Sequence, residues 1–212
     1  MKRNRHNIFL YVILLLSFTL ITACTATGVV MSTGATVGVA ASEERGVKGA
    51  ITDAGIRIQI NDLWLKAGLE LYNLVSLQIY EGRVLLAGHV PDDKMSDKAM
   101  LLAWQPDGVR EVINEIQVKK ITSIQTFARD ALINARLDSA LLFSKGINSI
   151  NYSTRSVGGI IYLLGVARNQ EELDKVQQVA RTIPDVKGVI SHVLLIDDPR
   201  RLQQPSVKSR KK

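Results

Sequence analysis

The chain contains a single cysteine, Cys24, at the centre of the run LITACTA. A lone thiol can serve as a catalytic nucleophile, a metal ligand, a small buried apolar group or a site of covalent modification. One cysteine excludes an intramolecular disulfide and any metal site that needs several thiolates. The residues around Cys24 have to distinguish between the remaining roles.

Residues 1–23 have the order of segments that is typical of a bacterial secretion signal. The basic start MKRNRHN precedes an apolar run from Ile8 to Ile21, which is shorter than the roughly 20 residues that a spanning helix needs. The run LITAC, ending at Cys24, resembles a lipobox, with a branched apolar residue three positions before the cysteine and a small residue directly before it. The alternative is an uncleaved anchor that contains an incidental cysteine.

The resemblance to a lipobox implies that residues 1–23 are a signal peptide and that Cys24 carries lipid. Bacterial lipoproteins carry three acyl chains at this cysteine, whereas one chain, at about 0.8 kcal/mol per buried methylene, holds only marginally. Thr25 follows instead of aspartate, which in this class implies the outer membrane, facing the periplasm. Cytoplasmic cofactors and nucleic acid are then out of reach.

The net charge of +7 is concentrated at the two ends of the chain. Residues 1–23 and 200–212 hold nine of the 27 basic residues and no acidic one, which leaves 18 basic against 20 acidic residues in the body. The body is therefore not a cationic surface for nucleic acid. We expect the polar, proline-containing segment 199–212 to be a basic disordered tail.

Residues 24–50 are rich in glycine, alanine, threonine, serine and valine, without a helical or strand period. This composition is typical of a tether, and we interpret the segment as the lipidated cysteine followed by a small-residue linker.

The rest of the chain contains an internal repeat with an offset of 77 residues. The motif GRVLLAG at 82–88 corresponds to GIIYLLG at 159–165, and the same offset relates distant pairs: Asp53-Ala54 with Asp130-Ala131, and Val112-Ile113 with Val189-Ile190. Two copies of one small unit are therefore predicted, at 51–119 and 120–198.

Each copy has the same predicted order of elements. A helix with a 3.6-residue apolar period precedes an alternating strand, a glycine turn and a second strand; a second helix and a last strand follow. The order α-β-β-α-β predicts an α+β fold, with two helices packed on a three-stranded mixed sheet in each copy.

These motifs resemble the BON-domain family, and in particular its dual-domain lipoproteins of the OsmY and DolP type. The resemblance lies in the Asp-x-x-Ile segment, in GRVLLAGHV and GGIIYLLGVA, in the Pro-Asp-(Gly)-Val-x-x-Val segments, and in the lipobox. It implies a non-enzymatic envelope protein that binds phospholipid and supports outer-membrane integrity and envelope stress tolerance.

The sequence offers little for catalysis or metal binding. His89 and His192 lie on predicted strands of different copies, at non-equivalent positions and without a histidine at ligand spacing. No nucleophile elbow or phosphate loop is present. We therefore expect no catalytic residue, no metal and no cofactor.

One helix face has the pattern of a lipid-binding surface. On the first helix of copy two, Arg129, Leu132, Arg136 and Phe143 project to one side of a core stripe centred near Leu137. Two cations flanking two apolar groups suit an anionic bilayer. The family resemblance implies that this helix contacts the membrane. The alternative is that Leu132 and Phe143 pack against the first copy.

Two functions remain open from the sequence. In the first, a lipid-anchored protein binds anionic phospholipid through its repeated domains. In the second, the domains form a periplasmic adaptor that binds a protein partner of outer-membrane assembly or transport.

Overall fold

The structure is a computed structural model that describes residues 43–119 and 124–202. Cys24, the signal peptide and most of the linker and tail lie outside these ranges. The described elements, in chain order, are α1 Gly46–Ala67, α2 Leu69–Leu74, β1 Val75–Tyr80, β2 Arg83–Val90, α3 Asp93–Ala103, β3 Glu111–Val118, α4 Ile124–Phe143, a 3-10 turn Ser149–Asn151, β4 Tyr152–Val157, β5 Ile160–Ala167, α5 Gln170–Thr182, β6 Gly188–Leu195 and α6 Pro199–Leu202.

The two copies form two three-stranded sheets with the same topology, which confirms the predicted α+β fold. In each sheet the second strand is central, antiparallel to the first and parallel to the third. The parallel neighbours are connected by a helix, α3 in copy one and α5 in copy two. Each copy is therefore a mixed sheet with helices packed on it.

The two hairpin turns consist of two residues each and require positive φ. Glu81 and Gly82 have φ values of 53° and 71°, and Gly158 and Gly159 have values of 62° and 86°. Positive φ at both positions is the type I′ turn, which matches the twist of antiparallel strands. Glu81 is a non-glycine residue in this region, so contacts elsewhere have to hold it there.

An aspartate on the first helix of each copy holds the hairpin turn. Asp53 accepts hydrogen bonds from the main-chain N–H groups of Glu81 and Gly82, both at 2.8 Å. Asp130 accepts from those of Gly158 and Gly159 at 2.7 and 2.9 Å. Both carboxylates are buried. The repeat therefore carries a helix-to-turn connection that fixes the first helix on its sheet.

The central strands are buried on both faces, and this explains how the copies meet. In β2, Val84 and Leu86 pack with the helices of copy one, whereas Leu85 and Ala87 face the other way. β5 alternates in the same manner. The outward sides form a third apolar cluster of Tyr80, Leu85, Ala87, Tyr162, Leu164 and Val166. The result is a four-layer arrangement, helix–sheet–sheet–helix, with the sheets back to back.

The first helix begins earlier than the sequence predicted. The linker was expected to extend to residue 50, but α1 begins at Gly46, and Glu44 and Arg45 also contact the folded body. Arg45 donates to Asp53 at 2.7 Å and lies over the Tyr80 ring, while the N–H of Glu44 donates to Asn151 at 2.9 Å. These tertiary contacts order a segment whose composition alone favours a tether.

The sequence prediction also placed the start of the disordered tail too early, at residue 199. Residues 199–202 form a short helix, and Arg201 pairs with Glu81 at 2.6 Å. Arg110 donates to the main-chain oxygens of Arg200 and Arg201 at 2.9 and 2.8 Å. The side chain of Arg201 and the main-chain oxygens of residues 200 and 201 thus contribute to the contact between domains, while 203–212 lie outside the described residues.

The described helices include none that is both long and apolar enough to cross a membrane.

Candidate functional site

The four residues predicted to bind lipid lie together on α4. At 100° per residue, Arg129, Leu132, Arg136 and Phe143 fall within an arc of about 60°, which we call the α4 face. All four side chains are exposed; Leu132 retains 47 % and Phe143 81 % of its accessible surface. The helix thus presents two cations and two large apolar groups to solvent on one side.

A second side of α4, centred about 110° around the helix from the α4 face, is fixed to copy two. Ile133, Leu137 and Leu141 are buried in its core. Two polar side chains add contacts to β4, since Asn134 accepts from the N–H of Ser156 at 2.7 Å and Asp138 accepts from the hydroxyl of Thr154 at 2.6 Å. The α4 face therefore has a fixed direction relative to the sheet, which a rigid binding surface requires.

The exposed residues of the α4 face are not covered by copy one. The copies meet through the backs of their sheets, so α4 lies in an outer layer of the described structure. Leu132 and Phe143 belong to neither sheet-to-sheet contact nor the core of copy two. The alternative that these two residues pack between the copies is therefore wrong.

One cation of the α4 face has an acidic neighbour. Arg136 lies 3.9 Å from Asp185 in the turn after α5, and both side chains are largely exposed. An exposed ion pair at this distance contributes about 0–1 kcal/mol, since water and salt screen it. Arg136 can therefore exchange this contact for another anion at little cost.

The structure adds three exposed apolar residues of α4 that the sequence analysis missed: Ile124, Phe127 and Leu142. Ile124 and Leu142 are also exposed, and because they are 18 residues apart they align along α4, about 80° around the helix from Leu132. The prediction considered only one side of the core stripe. A helical wheel begun at Ile124 would have shown that the apolar surface is wider than the α4 face.

The equivalent face of copy one has a different composition. Subtracting the 77-residue offset from the α4 face gives Thr52, Gly55, Gln59 and Lys66 on α1. These residues provide one cation and no large apolar group. The two copies share a fold, but at these four equivalent positions the alternation of cations and exposed apolar groups is found in copy two and not in copy one.

A buried glutamate supports the loop that follows α4. Glu172, which is 2 % exposed, accepts from the N–H of Asn148 at 2.7 Å and from the N–H and Nε of Arg168 at 3.0 and 2.9 Å. Burial alone would raise the pKa of Glu172, but these hydrogen bonds outweigh it and lower the pKa below its usual value. The ionised carboxylate thus holds the loop between Phe143 and β4.

The two histidines of the folded domains, His89 and His192, lie in structural environments. Burial, and then the nearby charge of Lys119, lower the pKa of His89, so its ring is neutral at neutral pH. His192 lies 2.8 Å from Glu115 of the other copy. Within 43–119 and 124–202, no three histidine, cysteine, aspartate or glutamate side chains are grouped as metal ligands would be.

Comparison with known proteins relates the chain to curated relatives. It is 39 % identical over 146 residues to a protein of Anaplasma centrale described as "Uncharacterized protein in gshII 5'region", covering 68 % of this chain and 95 % of that one. It is 27 % identical over 169 residues to the outer membrane lipoprotein DolP of Haemophilus influenzae, covering 79 % and 87 %.

Among solved structures, CdsD, a structural protein of the type III secretion system of Chlamydia trachomatis, matches with a TM-score of 0.28 and 17 % identity. That match covers 68 % of this chain and 63 % of CdsD.

The family comparison agrees with the duplicated fold. BON domains match at residues 52–120 and 129–196, which together are more than half of the chain. Each matched segment contains one complete mixed sheet, the helix that connects its parallel strands and most of the first helix. The predicted resemblance is confirmed: the chain belongs to the BON-domain family, with two copies of the domain.

Proposed function

We propose that this protein is a non-enzymatic, lipid-anchored protein of the cell envelope that binds anionic phospholipid through the α4 face. The observation that carries the proposal is the exposure of Leu132 and Phe143 beside Arg129 and Arg136, on a helix whose other side is fixed in a core. Soluble surfaces rarely collect large apolar groups in this way without a binding role.

The energies indicate how such a surface would act. Each cation near an anionic bilayer contributes about 1 kcal/mol, and a large apolar side chain that becomes fully buried contributes about 1.5–3 kcal/mol. The α4 face alone would therefore bind weakly and reversibly. Its role is then to orient a protein that a stronger attachment already holds at the membrane.

The stronger attachment in this proposal is lipid on Cys24. The lipobox supports it, and so does the relative DolP, whose name describes an outer membrane lipoprotein. We place the protein on the outer membrane, facing the periplasm, in support of membrane integrity. Globomycin-sensitive processing together with acyl labelling that is lost in Cys24→Ala tests the anchor separately from the domains.

Flotation with vesicles tests lipid binding by the domains. The chain from residue 24 onward with Cys24→Ala should float with vesicles of phosphatidylglycerol or cardiolipin at physiological salt, and not with phosphatidylcholine alone. Leu132→Asp and Arg136→Glu should each abolish flotation. Gln59→Glu, at the position equivalent to Arg136 in copy one, is the control and should float normally.

The outcome is informative only for folded variants, so each one is checked by its thermal unfolding. Arg136 and Leu132 are exposed, and their substitution should leave the melting temperature nearly unchanged. If the parent protein does not float with anionic vesicles, direct lipid binding by the domains is refuted. If both variants float as well as the parent protein, the lipid-binding site does not lie on α4.

An adaptor for a protein partner is the second candidate. The observation that favours it is a second exposed apolar surface, on α1 in the other outer layer, where Ile51 and Ile58 are exposed.

A further inference from the structure

A cavity lies where the strand ends of copy one meet the hairpin turn of copy two. Its volume is about 520 Å³, which is within the range of ligand pockets. Val157, Ile160 and Ile190 give it apolar walls, and Lys119 and Lys187 add two cations to the lining. Among the described residues that line it, none is acidic. We call this space the junction cavity.

The two lysines of the junction cavity have no carboxylate partner within 43–119 and 124–202. Lys119 donates to the side-chain oxygen of Gln117 at 2.6 Å, and Lys187 donates to the main-chain oxygen of Gly158 at 3.0 Å. Both charges reach the same ring, because burial and then the charges of Lys119 and Lys187 lower the pKa of His89. The junction cavity thus brings together two cations without an ion pair in those ranges.

The repeat provides a counterpart of this cavity at the other end of the contact between the copies. There the hairpin turn belongs to copy one and the strand end to copy two. The equivalent positions, 77 residues apart, are Gly158 and Glu81, Lys187 and Arg110, and Lys119 and Ile196. One contact is common to both sites, since Arg110 donates to the main-chain oxygen of Glu81 at 3.4 Å as Lys187 does to that of Gly158.

In the counterpart site, residues 199–202 occupy the space. Arg110 donates to the main-chain oxygens of Arg200 and Arg201 at 2.9 and 2.8 Å. The guanidinium of Arg201 pairs with the Glu81 carboxylate at 2.6 Å. This geometry therefore accepts a short polypeptide segment, which gives acceptor oxygens to one cation and a charged side chain to the hairpin turn.

The equivalent residues of the repeat do not fill the junction cavity. Ile124 corresponds to Arg201, but it begins α4 and is 87 % exposed. Gly158 stands where Glu81 stands in the counterpart site, so no side chain extends from the turn into the space. The position that residues 199–202 take against copy one is thus open against copy two within the described structure.

The charges of the two sites differ in sign. Glu81 attracts a basic segment in the counterpart site, whereas Lys119 and Lys187 make the junction cavity positive. We propose that the junction cavity binds an acidic segment of a partner polypeptide. Main-chain oxygens of that segment accept from Lys187, and an aspartate or glutamate side chain pairs with Lys119. Complementary charge of this kind selects the partner.

The acidic segment has to come from a separate polypeptide. All 20 acidic residues of the sequence lie within 43–119 and 124–202, so residues 1–42, 120–123 and 203–212 contain none. These remaining parts of the chain therefore supply no carboxylate to the junction cavity. A free inorganic anion would satisfy the lysines but would leave the apolar walls of Val157 and Ile160 without a contact.

A capped tetrapeptide tests the proposal by nuclear magnetic resonance. The probe is Pro-Glu-Glu-Leu, which is the sequence of residues 199–202 with both arginines replaced by glutamate. Added to the chain from residue 24 onward with Cys24→Ala, it should shift the amide signals of Gly158 and Gly188 in a saturable manner. A Kd of about 1 mM is expected for so short a segment. The basic peptide Pro-Arg-Arg-Leu is the control ligand and should cause no such shifts.

Substitutions in the lining locate the site. Lys119→Glu and Lys187→Glu should each weaken binding of the acidic peptide about tenfold or more, because each reverses a charge that the peptide meets. Lys94→Glu, at an exposed lysine on α3, is the matched control and should bind normally. Thermal unfolding checks that each variant is folded.

Gly188→Leu tests the space instead of the charge. A Cβ at Gly188 meets no atom within 4 Å, and the residue lines the cavity, so the variant should fold and fill the binding space. Loss of peptide binding is expected although both lysines remain. His89 gives an independent signal, because a bound carboxylate near its ring should raise its pKa.

Three results would overturn the proposal. They are the absence of saturable shifts at about 20 mM peptide, equal binding of the basic peptide, and unchanged affinity in both lysine variants. Inorganic phosphate that causes the same shifts with the same Kd would identify a small-anion site and would also overturn it. Leu132→Asp, which tests the α4 face, should leave peptide binding unchanged, so lipid binding and peptide binding can fail separately.

Discussion

Glu115 and His192 lie 2.8 Å apart across the contact between the domains, and they are the same position of the repeat, 77 residues apart. Contact between equivalent positions means that the copies are related by a local two-fold axis. The apolar part of the contact agrees, because Leu85 and its equivalent Tyr162 both belong to it. The back of each sheet is thus occupied by the other copy, which leaves the outer helices for binding.

The carboxylate of Asp130 should be a main determinant of the stability of copy two. It accepts two main-chain N–H groups and the hydroxyl of Ser156 at 2.6 Å while buried. Asp130→Ala leaves these donors without an acceptor, so we expect a loss of about 3 kcal/mol in the free energy of unfolding, measured with urea. Asp138→Ala, which removes one exposed hydrogen bond from the same helix, should cost less than about 1 kcal/mol. Equal losses in the two variants would contradict this role.

The pH dependence of stability should depend on Glu172. Its pKa is lower in the folded state than in the unfolded chain, so it stabilises the fold fully above its unfolded pKa, about 4.3. That contribution is lost as the pH falls through the lower folded pKa. Urea unfolding at pH 3 and pH 7 should show a smaller difference for Glu172→Gln than for the parent protein.

Glu171→Gln is the matched control for this pH dependence. Glu171 is exposed and pairs with the exposed Lys175, so its substitution should leave the stability at neutral pH nearly unchanged. If the parent protein and the Glu172→Gln variant lose the same amount of stability between pH 7 and pH 3, Glu172 is not the group that causes the pH dependence.

Gly165 should not tolerate a side chain. Its φ is 148°, and a Cβ at this position would lie 2.1 Å from the main-chain oxygen of Asn151, which cannot move without shifting β4. We expect Gly165→Ala to lower the melting temperature strongly, with a loss of about 3 kcal/mol, at the upper end of overpacking costs. Gly188→Ala, where a Cβ meets no atom within 4 Å, should be nearly neutral.

The pair of Glu81 and Arg201 should connect the end of the chain to copy one. The guanidinium contacts both carboxylate oxygens, at 2.6 and 3.0 Å, and both side chains are mostly buried. A double-mutant cycle with Glu81→Gln and Arg201→Gln should give a coupling energy of about 1–2 kcal/mol, as expected for bidentate charged hydrogen bonds. A coupling near zero would mean that the ion pair of Glu81 and Arg201 does not stabilise the contact of residues 199–202 with copy one.

The repeat explains why so much of the fold was predictable. One offset of 77 residues relates Gly82 to Gly159, Asp53 to Asp130, and the alternating strands of copy one to those of copy two. Each copy therefore supported the interpretation of the other. The connection from Asp53 to its hairpin turn was not predictable, because a carboxylate on a helix gives no sign of which distant N–H groups it meets. Arg201 was missed for the same reason, since a basic, proline-containing segment shows no pattern that predicts its contact with Glu81.

The candidate site was predictable in its position but not in its extent. The period of Ile133 and Leu137 placed the core side of α4 and thereby the direction of Leu132 and Arg136. Whether the other copy covered that face depended on how the sheets pack. The outward residues of β2, such as Leu85, are as apolar as its inward ones, so the sequence shows burial on both sides without saying which element lies on the second side.

The depth of α4 in an anionic bilayer tests the central proposal most directly. A spin label on Ser139→Cys, beside the α4 face, and one on Asp62→Cys, its equivalent on α1, would be compared by electron paramagnetic resonance with oxygen and a water-soluble nickel complex as relaxing agents. Both positions are exposed, and both variants carry Cys24→Ala. On phosphatidylglycerol vesicles the label at residue 139 should gain contact with oxygen and lose contact with nickel, while the label at residue 62 stays in water. Equal accessibility of both labels to nickel, with and without vesicles, would contradict membrane binding by α4.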